Sequence, residues 1–333
     1  MQLDTNIEDE LKENQYLGTF RWKNPKFIKL EHLNLKDITL NYSNYLTSYQ
    51  SSWKSFLDFR FKDENFEAST IDALSYPLSI IHIIDKMISM KLLENITLIK
   101  NSILQNSKVK NKITLNIILI GASKKTEERI ALQSNYFDEI YYFILCYIFS
   151  LCSEDKEREL IYNTFCLNIC FTGEEVSSNN SYISQVNSKI NYSFYSLKTY
   201  NFFKENSLEF TKLNSVIIGL NCGFGAGYAK LTLSWIKDLQ LLVKMNYICG
   251  FTFTNDYEDQ MGEIEIMKYL TANVRYLCDN NQFKSMSVYK NEEEENTWSC
   301  GNYGFYIIQG CEKLIKIRDN EVIDILKSNK LLK

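Results

Sequence analysis

The feature that most constrains the fold is a repeated unit in which a short β-rich run ends at or just before a glycine. The runs are Ile113–Ile120 before Gly121, residues 161–171 before Gly173, and residues 215–220 before Gly223. Helical patterns follow the first run, at 124–133, and the third, at about 228–244, and a further strand at 247–254 precedes a helical pattern at 256–273. Such units predict an α/β fold, a mostly parallel sheet with helices on both faces.

In a sheet of this kind, ligands bind beyond the carboxyl ends of the strands. We therefore expect the turn residues to share one edge of the sheet, namely Gly121, Gly173, Gly223 and the pair Asn255-Asp256. The sequence shows no internal repeat and no Pro/Gly/Ser linker. We predict a mobile lead-in at 1–15 and a single domain at 16–333.

Within that domain we predict an N-terminal helical cap at 16–110 and a Rossmann-like sheet at 111–333. A helix begins near Ser69, with Pro77 in its first turn and Ser75 as its N-cap. The polar stretch at 177–193 is expected to form a loop or a short pair of edge strands. The C-terminal segment reads as antiparallel hairpin strands.

Charge and apolar run length argue against several partners. The net charge is −4, and no basic, aromatic-interleaved patch is present, so we expect no DNA partner and consider RNA unfavourable. The acidic run Glu292–Glu295 is typical of a solvated loop. The apolar runs fall far short of a bilayer span, so we predict a soluble protein without membrane contact. The acidic N-terminus lacks an Arg-rich presequence, which favours the cytoplasm, with mitochondria as the alternative.

The cysteines do not form a zinc motif. There are nine, none in a C-x-x-C pair, and the chain has two histidines, His32 and His82. We therefore predict reduced thiols, no zinc and an intracellular protein. His82 falls on the apolar face of its predicted helix and is interpreted as a core histidine rather than a base.

The glycine turn at Gly223, Gly225 and Gly227 has two interpretations. Glycines after a strand and before a helix can cradle a cofactor, with an acid at the next strand end binding the ribose. Asp256 is the candidate acid, but it lies 29 residues beyond Gly227 (256 minus 227), where about 20 is typical of dinucleotide sites. We favour a tight turn that lets the helix pack on the sheet. The alternative is an S-adenosylmethionine-dependent methyltransferase.

Two acidic pairs have simpler explanations than catalysis. Glu127-Glu128 would lie in the first turn of a helix, where carboxylates complement the helix dipole. Glu174-Glu175 follows a strand, where adjacent side chains face opposite ways, so we expect a solvated loop.

Several segments, in chain order, resemble the C-terminal domain of the mitochondrial splicing suppressor 51 family, which is often attached to a MYND-type zinc finger. They are ALSYPLSIIHIID, LNIILIGASKKTEERI, LNICFTGEE, VIIGLNCGFG and GFTFTNDYED, together with SSWKSFLDFRF, which carries Trp53 and Arg60, and TWSCGNYGFYII. The likeness runs from roughly residue 40 to 310. At the glycine turn the matching positions are Asn221, Gly223 and Phe224.

The resemblance implies a methyltransferase-like fold and proteins that act through partners, such as translational activators and assembly factors. It carries no established catalytic residues, and this sequence lacks both the cysteine spacing of a MYND finger and the cysteine–proline haem motifs of the family's founding member. We therefore expect a non-catalytic interaction or regulatory module with a protein partner and no cofactor. Aromatic residues of the C-terminal hairpin form the candidate partner surface: Trp298, Tyr303 and Tyr306.

Overall fold

An eight-stranded mixed sheet forms the centre of this protein in a computed structural model. The structure describes residues 25, 27–61, 68–105, 112–177, 180–184, 187–290 and 298–328. Ten strands are found there: β1 Ile113–Ile120, β2 Phe165–Thr172, β3 Asn180–Ile183, β4 Ile190–Tyr195, β5 Ser215–Gly219, β6 Ile248–Phe253, β7 Ala272–Cys278, β8 Val288–Lys290, β9 Trp298–Cys300 and β10 Gly304–Cys311. The sheet order is β3-β4-β2-β1-β5-β6-β10-β7, and β8 pairs with β9 in a separate hairpin.

The middle of the sheet is parallel, as the repeated strand–glycine unit predicts. β1 pairs in parallel with β2 on one side and with β5 on the other, and β4 and β6 extend the parallel block outward. Strands β5 and β6 are buried at every position, as expected of strands covered on both faces. The prediction of a mostly parallel, Rossmann-like α/β fold is confirmed.

Eleven helices lie within the described residues, and the sheet has an apolar cluster on each face. Helices α1 Leu35–Ser51, α2 Trp53–Arg60, α3 Ala68–Ser89, α4 Glu94–Gln105 and α6 Asp138–Ser150 pack on one face, with α5 Glu127–Gln133 and α7 Asp155–Thr164 beside them. Helices α8 Thr199–Asn206, α9 Ala229–Lys244, α10 Asp259–Tyr269 and α11 Asp319–Ser328 cover the other. The strand side chains alternate between the faces: Ile117 and Leu119 point to the first, Ile118 and Ile120 to the second.

The C-terminal part differs from the predicted antiparallel hairpin. β8 and β9 do form one, but β10 leaves it and enters the main sheet between β6 and β7, antiparallel to both. β7 is not among the predicted strands, and its first two residues, Ala272 and Asn273, fall within the helix predicted at 256–273. That helix, α10, ends at Tyr269, and Thr271 follows in the left-handed region at φ 54°, where the chain reverses into the strand.

Helix α3 begins within one residue of the predicted start near Ser69, but the predicted places of Pro77 and Ser75 in it are wrong. The described helix starts at Ala68, so Pro77 lies in its interior and not in its first turn. A proline there removes one helical N–H and leaves the carbonyl four residues back, at Ala73, without its usual donor. Ser75 is therefore no N-cap; its hydroxyl accepts a hydrogen bond from the side chain of Asn302 at 3.0 Å.

The predicted N-terminal cap is part of the covering layer. Arg60 on α2 makes a buried, two-pronged ion pair with Glu139 on α6, at 2.7 and 3.0 Å. Tyr49 on α1 donates to the same carboxylate at 2.7 Å, and Trp53 donates its indole N–H to the carbonyl of Lys284 at 3.0 Å. Trp53 and Arg60, which carry the resemblance in this segment, thus fasten the first helices to the rest of the fold.

Some predictions fall outside the described residues or are not tested. The lead-in at 1–15 and the acidic run Glu292–Glu295 lie outside the described ranges. The domain boundary near residue 110 stays a prediction. The polar stretch after β2 contributes the edge strand β3, paired antiparallel with β4.

Candidate functional site

The site lies where the strand order reverses. From β1 the chain proceeds through β2 to β4 on one side, and from β5 to β6 on the other, so the crevice between the carboxyl ends of β1 and β5 is the topological switch point. Ligands of open α/β sheets bind in this crevice.

A cavity of about 310 Å³ opens at this point, at the lower end of the roughly 300–1,000 Å³ typical of small-molecule sites. Segments that follow β1, β2, β4 and β5 line it, together with α9 and Tyr76 of α3. The lining residues are Tyr76, Gly121, Ala122, Ser123, Thr126, Glu127, Gly173, Glu174, Glu175, Lys198, Thr199, Leu220, Asn221, Cys222, Leu231, Ser234, Trp235 and Asp238.

The backbone donors at the end of β1 are all bonded within the chain. Ala122 N–H donates to the Thr172 carbonyl at 3.0 Å, and Lys124 N–H donates to the Glu175 carbonyl at 3.2 Å. These bonds and the bridge between Ser123 and Glu175 continue the β1–β2 ladder past the strand ends. Backbone N–H groups at such a turn are the usual donors to a cofactor's anionic groups, and here the chain itself uses them.

The third donor of that turn is bonded to a side chain. Ser123 N–H donates to the Glu127 carboxylate at 2.9 Å, and Ser177 N–H donates to the Glu128 carboxylate at 2.8 Å. Both glutamates are buried, at 6% and 4% exposure. The prediction that these two glutamates only complement the dipole of helix α5 is therefore incomplete, because each carboxylate also accepts a hydrogen bond from a loop N–H. Glu127 occupies the place where a ligand's anionic group would bind this turn.

Two glycines near the cavity are required by close packing. A Cβ on Gly121, which lies at φ 70°, would come within 2.7 Å of the Trp235 ring, and a Cβ on Gly173 would lie 2.1 Å from the Ala122 carbonyl oxygen. The ring of Trp235 therefore covers the glycine at the end of β1.

The glycine turn after β5 lies beside the cavity rather than in it. Gly223 and Gly227 have φ values of 65° and 81°, in the left-handed region that favours glycine. A Cβ on Gly225 would lie 2.2 Å from the backbone nitrogen of Glu263, and one on Gly262 would lie 2.0 Å from the Gly225 carbonyl oxygen. Gly225 thus faces helix α10, and this geometry favours the interpretation as a tight turn.

Asp256, the candidate ribose ligand, is exposed and does not line the cavity. It follows β6, one strand further from the switch point than β5. Burial, and then the charge of Asp256, raise the pKa of Tyr303. The carboxylate therefore lies near the C-terminal hairpin, and the structure does not bring it together with the three glycines around a common ligand space.

The asparagine that precedes the glycine turn belongs to a buried polar network. Asn221 and Asn302 bond each other twice, at 2.8 and 3.1 Å, and both have positive φ. Thr252 on β6 donates to Asn302 at 2.8 Å. Together with the bond to Ser75, these contacts tie the ends of β5 and β6 and the turn before β10 to helix α3.

Two further polar groups, the partly buried His82 and the fully buried Glu263, do not line the cavity. His82 hydrogen-bonds Asn281 at 2.8 Å and stacks edge-on with Phe305, in keeping with the prediction of a core histidine. The Glu263 carboxyl has no hydrogen bond of normal geometry in the described part of the chain. Burial and then the neighbouring Asp259 raise its pKa well above the ordinary value, against the opposing effects of Tyr306 and the Gly223 N–H. Burial therefore favours the neutral form of this carboxyl beneath the turn.

The predicted partner surface is reduced to two of its three residues. Tyr306 is fully buried in β10 and stacks on Phe251 with ring centroids 5.4 Å apart, so it cannot form part of an exposed surface. Because side chains alternate along β10, the Tyr306 ring lies on the sheet face that α9 and α10 cover. Trp298 and Tyr303 remain partly exposed, and their rings meet edge-to-face at 4.7 Å.

The other acidic pair is exposed, as predicted. Glu174 makes a 3.4 Å ion pair with Lys198 at the mouth of the cavity, with both side chains largely in solvent. The nine cysteines are free thiols. Across the described ranges, no group of three or more His, Cys, Asp or Glu side chains is arranged to hold a metal ion, and no described helix is both long and apolar enough to cross a bilayer.

Four residues that line the cavity were not predicted from the sequence, namely Thr126, Thr199, Trp235 and Asp238. The sequence did contain a signal for the position of the cavity. The first strand of such a sheet borders the switch point, so a ligand is expected near Gly121 rather than near Gly223. No local pattern marks Trp235, which sits in an ordinary amphipathic helix.

Comparison with known proteins adds no family assignment: no family model matches this chain, and no curated protein matches it. The resemblance to the splicing suppressor family is therefore carried forward as a proposal.

Proposed function

We propose that this chain is a non-catalytic protein-interaction or regulatory module on a methyltransferase-like scaffold, acting in translation regulation or complex assembly. The resemblance to the splicing suppressor family supports the biological setting. The geometry at the end of β1 supports a scaffold that does not use a nucleotide cofactor.

One observation carries the proposal. The N–H groups of Ala122, Ser123 and Lys124 stand where this fold offers donors to a cofactor, and each is bonded to the chain's own Thr172, Glu127 or Glu175. A cofactor would have to break these bonds and displace the buried Glu127 carboxylate. Leaving a buried donor or charge unsatisfied costs about 1–3 kcal/mol or more for each group.

Thermal unfolding tests the cofactor part of the proposal. The full chain is heated alone and with S-adenosylmethionine, S-adenosylhomocysteine or NAD. A ligand at 100 times its dissociation constant adds about 2.7 kcal/mol, enough to raise the midpoint by several degrees. We expect no shift. A shift with any of these ligands would contradict the proposal and support the methyltransferase alternative, which the cavity at the switch point favours.

The aromatic cluster of the C-terminal hairpin is the surface we assign to a partner. The Trp298 ring contacts the rings of both Tyr257 and Tyr303, and the ammonium of Lys284 lies 4.7 Å above the Tyr303 ring. The hydroxyl of Tyr257 binds both the N–H and the carbonyl of Trp298, at 2.7 and 2.6 Å. Rigid, half-exposed aromatic groups of this kind are favoured anchors of interfaces.

Partner recovery tests this surface. Proteins that co-purify with the chain are quantified for the wild type, for Trp298→Ala and for a control, Tyr182→Ala, which removes an exposed tyrosine from the edge strand β3. We expect Trp298→Ala to lose a partner that the control retains, with the unfolding midpoints of both variants recorded. Equal recovery from all three proteins would refute the surface assignment.

A further inference from the structure

We propose that the cavity at the carboxyl ends of β1, β2 and β5 binds an uncharged nucleoside. This inference goes beyond the proposed function and does not depend on it, because a module that works through a partner can have a ligand-binding cavity or lack one. It rests on the hydrogen-bonding groups that line the cavity, on its charge and on its size.

Three hydrogen-bond donors that open into the cavity have no side-chain partner in the described part of the chain. They are the hydroxyls of Thr126 and Thr199 and the indole N–H of Trp235, in residues that are 5%, 2% and 8% exposed. None of the three atoms is among the fully buried atoms without a partner, so each is accessible from the cavity. Thr126 precedes helix α5 without capping it. Such groups usually bond to protein, water or ligand. The cavity therefore offers three donors to a ligand with acceptor atoms, such as the ring nitrogens of a base.

The same cavity offers acceptors at the end of β2. Glu174 and Glu175 follow that strand and line the opening. An acid near this position binds the ribose hydroxyls in dinucleotide-binding sheets of this class. Trp235 and Tyr76 add aromatic rings to the lining. A planar base joined to a vicinal diol matches this combination of donors, acceptors and rings.

The charge of the cavity lining excludes anionic ligands, such as nucleotides. The lining contains four carboxyl groups, those of Glu127, Glu174, Glu175 and Asp238, against the single ammonium of Lys198, which is already paired with Glu174. The backbone N–H groups that would receive a phosphate or a carboxylate are bonded within the chain. The volume of about 310 Å³ suits a mononucleoside better than a dinucleotide. Like charges brought together in a binding site weaken affinity strongly.

The experiment measures binding of adenosine to the full chain by titration calorimetry, with AMP, S-adenosylhomocysteine and spermidine as comparison ligands. We expect adenosine to bind, AMP to bind at least about tenfold more weakly, and S-adenosylhomocysteine to show no measurable binding, in agreement with the unfolding experiment. 2′-Deoxyadenosine should lose about fivefold if a carboxylate holds the diol. The proposal is overturned if adenosine shows no binding, if AMP binds as tightly as adenosine, or if spermidine binds and adenosine does not.

Matched variants place the ligand in the cavity. Trp235→Phe keeps a ring over Gly121 but removes the N–H, and Thr126→Val removes a hydroxyl at nearly constant shape. Each should weaken adenosine binding about fivefold. Ser234→Ala is the control, because that hydroxyl lines the cavity but already donates to the Leu231 carbonyl at 2.7 Å. If Trp235→Phe does not fold, Thr126→Val decides. Adenosine affinity equal to that of the wild type in every folded cavity variant would overturn the assignment.

Discussion

Asp138 makes the stability of this protein depend on pH in a way that can be calculated. Its carboxyl is fully buried at the start of α6, where it accepts hydrogen bonds from Tyr192 on β4 and from Ser184 at 2.8 Å. Burial raises its pKa from 3.8 to about 7, against the opposing effect of these two hydroxyls, and neighbouring Glu139 raises it slightly more. The folded protein therefore keeps a proton that the unfolded chain has already released.

This difference in pKa sets the sign and the size of the effect. Because the folded pKa is the higher one, the stabilisation by the carboxyl is fully present below the unfolded pKa of 3.8 and is lost as the pH rises through about 7. A shift of about three pKa units corresponds to about 4 kcal/mol in total, of which about 3 kcal/mol is lost between pH 5 and pH 8.

The assay is urea unfolding of the wild type and the Asp138→Asn variant at pH 5 and pH 8. Asparagine keeps the shape and can still hydrogen-bond Tyr192 and Ser184, but it does not titrate. We expect the wild type to lose about 3 kcal/mol relative to the variant over this interval. Asp58→Asn, at a largely exposed carboxylate, serves as the control and should follow the wild type. If the difference between the wild type and Asp138→Asn stays constant within about 0.5 kcal/mol, the buried-proton argument is refuted.

Three further predictions concern packing and buried polar groups, and urea unfolding at neutral pH checks each. Gly225→Ala should cost about 3 kcal/mol because its methyl group would meet the backbone of α10, whereas Gly223→Ala should cost about 1 kcal/mol because only its positive φ is strained; equal costs would contradict the assigned packing. Asn302→Ala should cost about 3 kcal/mol, since it removes the side-chain partner of Thr252, Ser75 and Asn221, which lie on three different segments; a loss below about 1 kcal/mol would show that water replaces it. Arg60→Met should cost about 4 kcal/mol, and adding Glu139→Met should recover most of that loss; no recovery would mean that packing, not the unpaired charge, causes it.

The parallel core of the fold could be predicted because its signals are local. The apolar run Ile113–Ile120 and the helical pattern of Ala229–Lys244 each carry their own periodicity, and the structure has both elements at the predicted places. The position of β10 could not be predicted in this way. It lies between β6 and β7, and nothing in its own residues distinguishes that place from a hairpin with β9.

The sequence places several strand-end turns along one edge of the sheet, but it does not show which of them borders the cavity; the lining includes Gly121 and Gly173 and none of the three glycines of the turn after β5. A glycine that faces a ligand and a glycine that faces a helix have the same local sequence. Position 225 requires glycine because Gly262 packs closely against it, and Gly262 lies on helix α10, which comes later in the chain. The buried state of Glu127 likewise depends on Ser123 and on the β1–β2 ladder, which a helix-dipole argument does not contain. Contacts of this kind require the three-dimensional fold.

The most direct test of the central claim is amide hydrogen exchange at the turn after β1, measured residue by residue with and without S-adenosylmethionine. If Ala122, Ser123 and Lys124 are bonded to Thr172, Glu127 and Glu175, their amides exchange slowly in the protein alone, and the cofactor changes nothing. Fast exchange that slows when S-adenosylmethionine is added would show that these donors belong to a cofactor, and the account of a non-catalytic module would be contradicted.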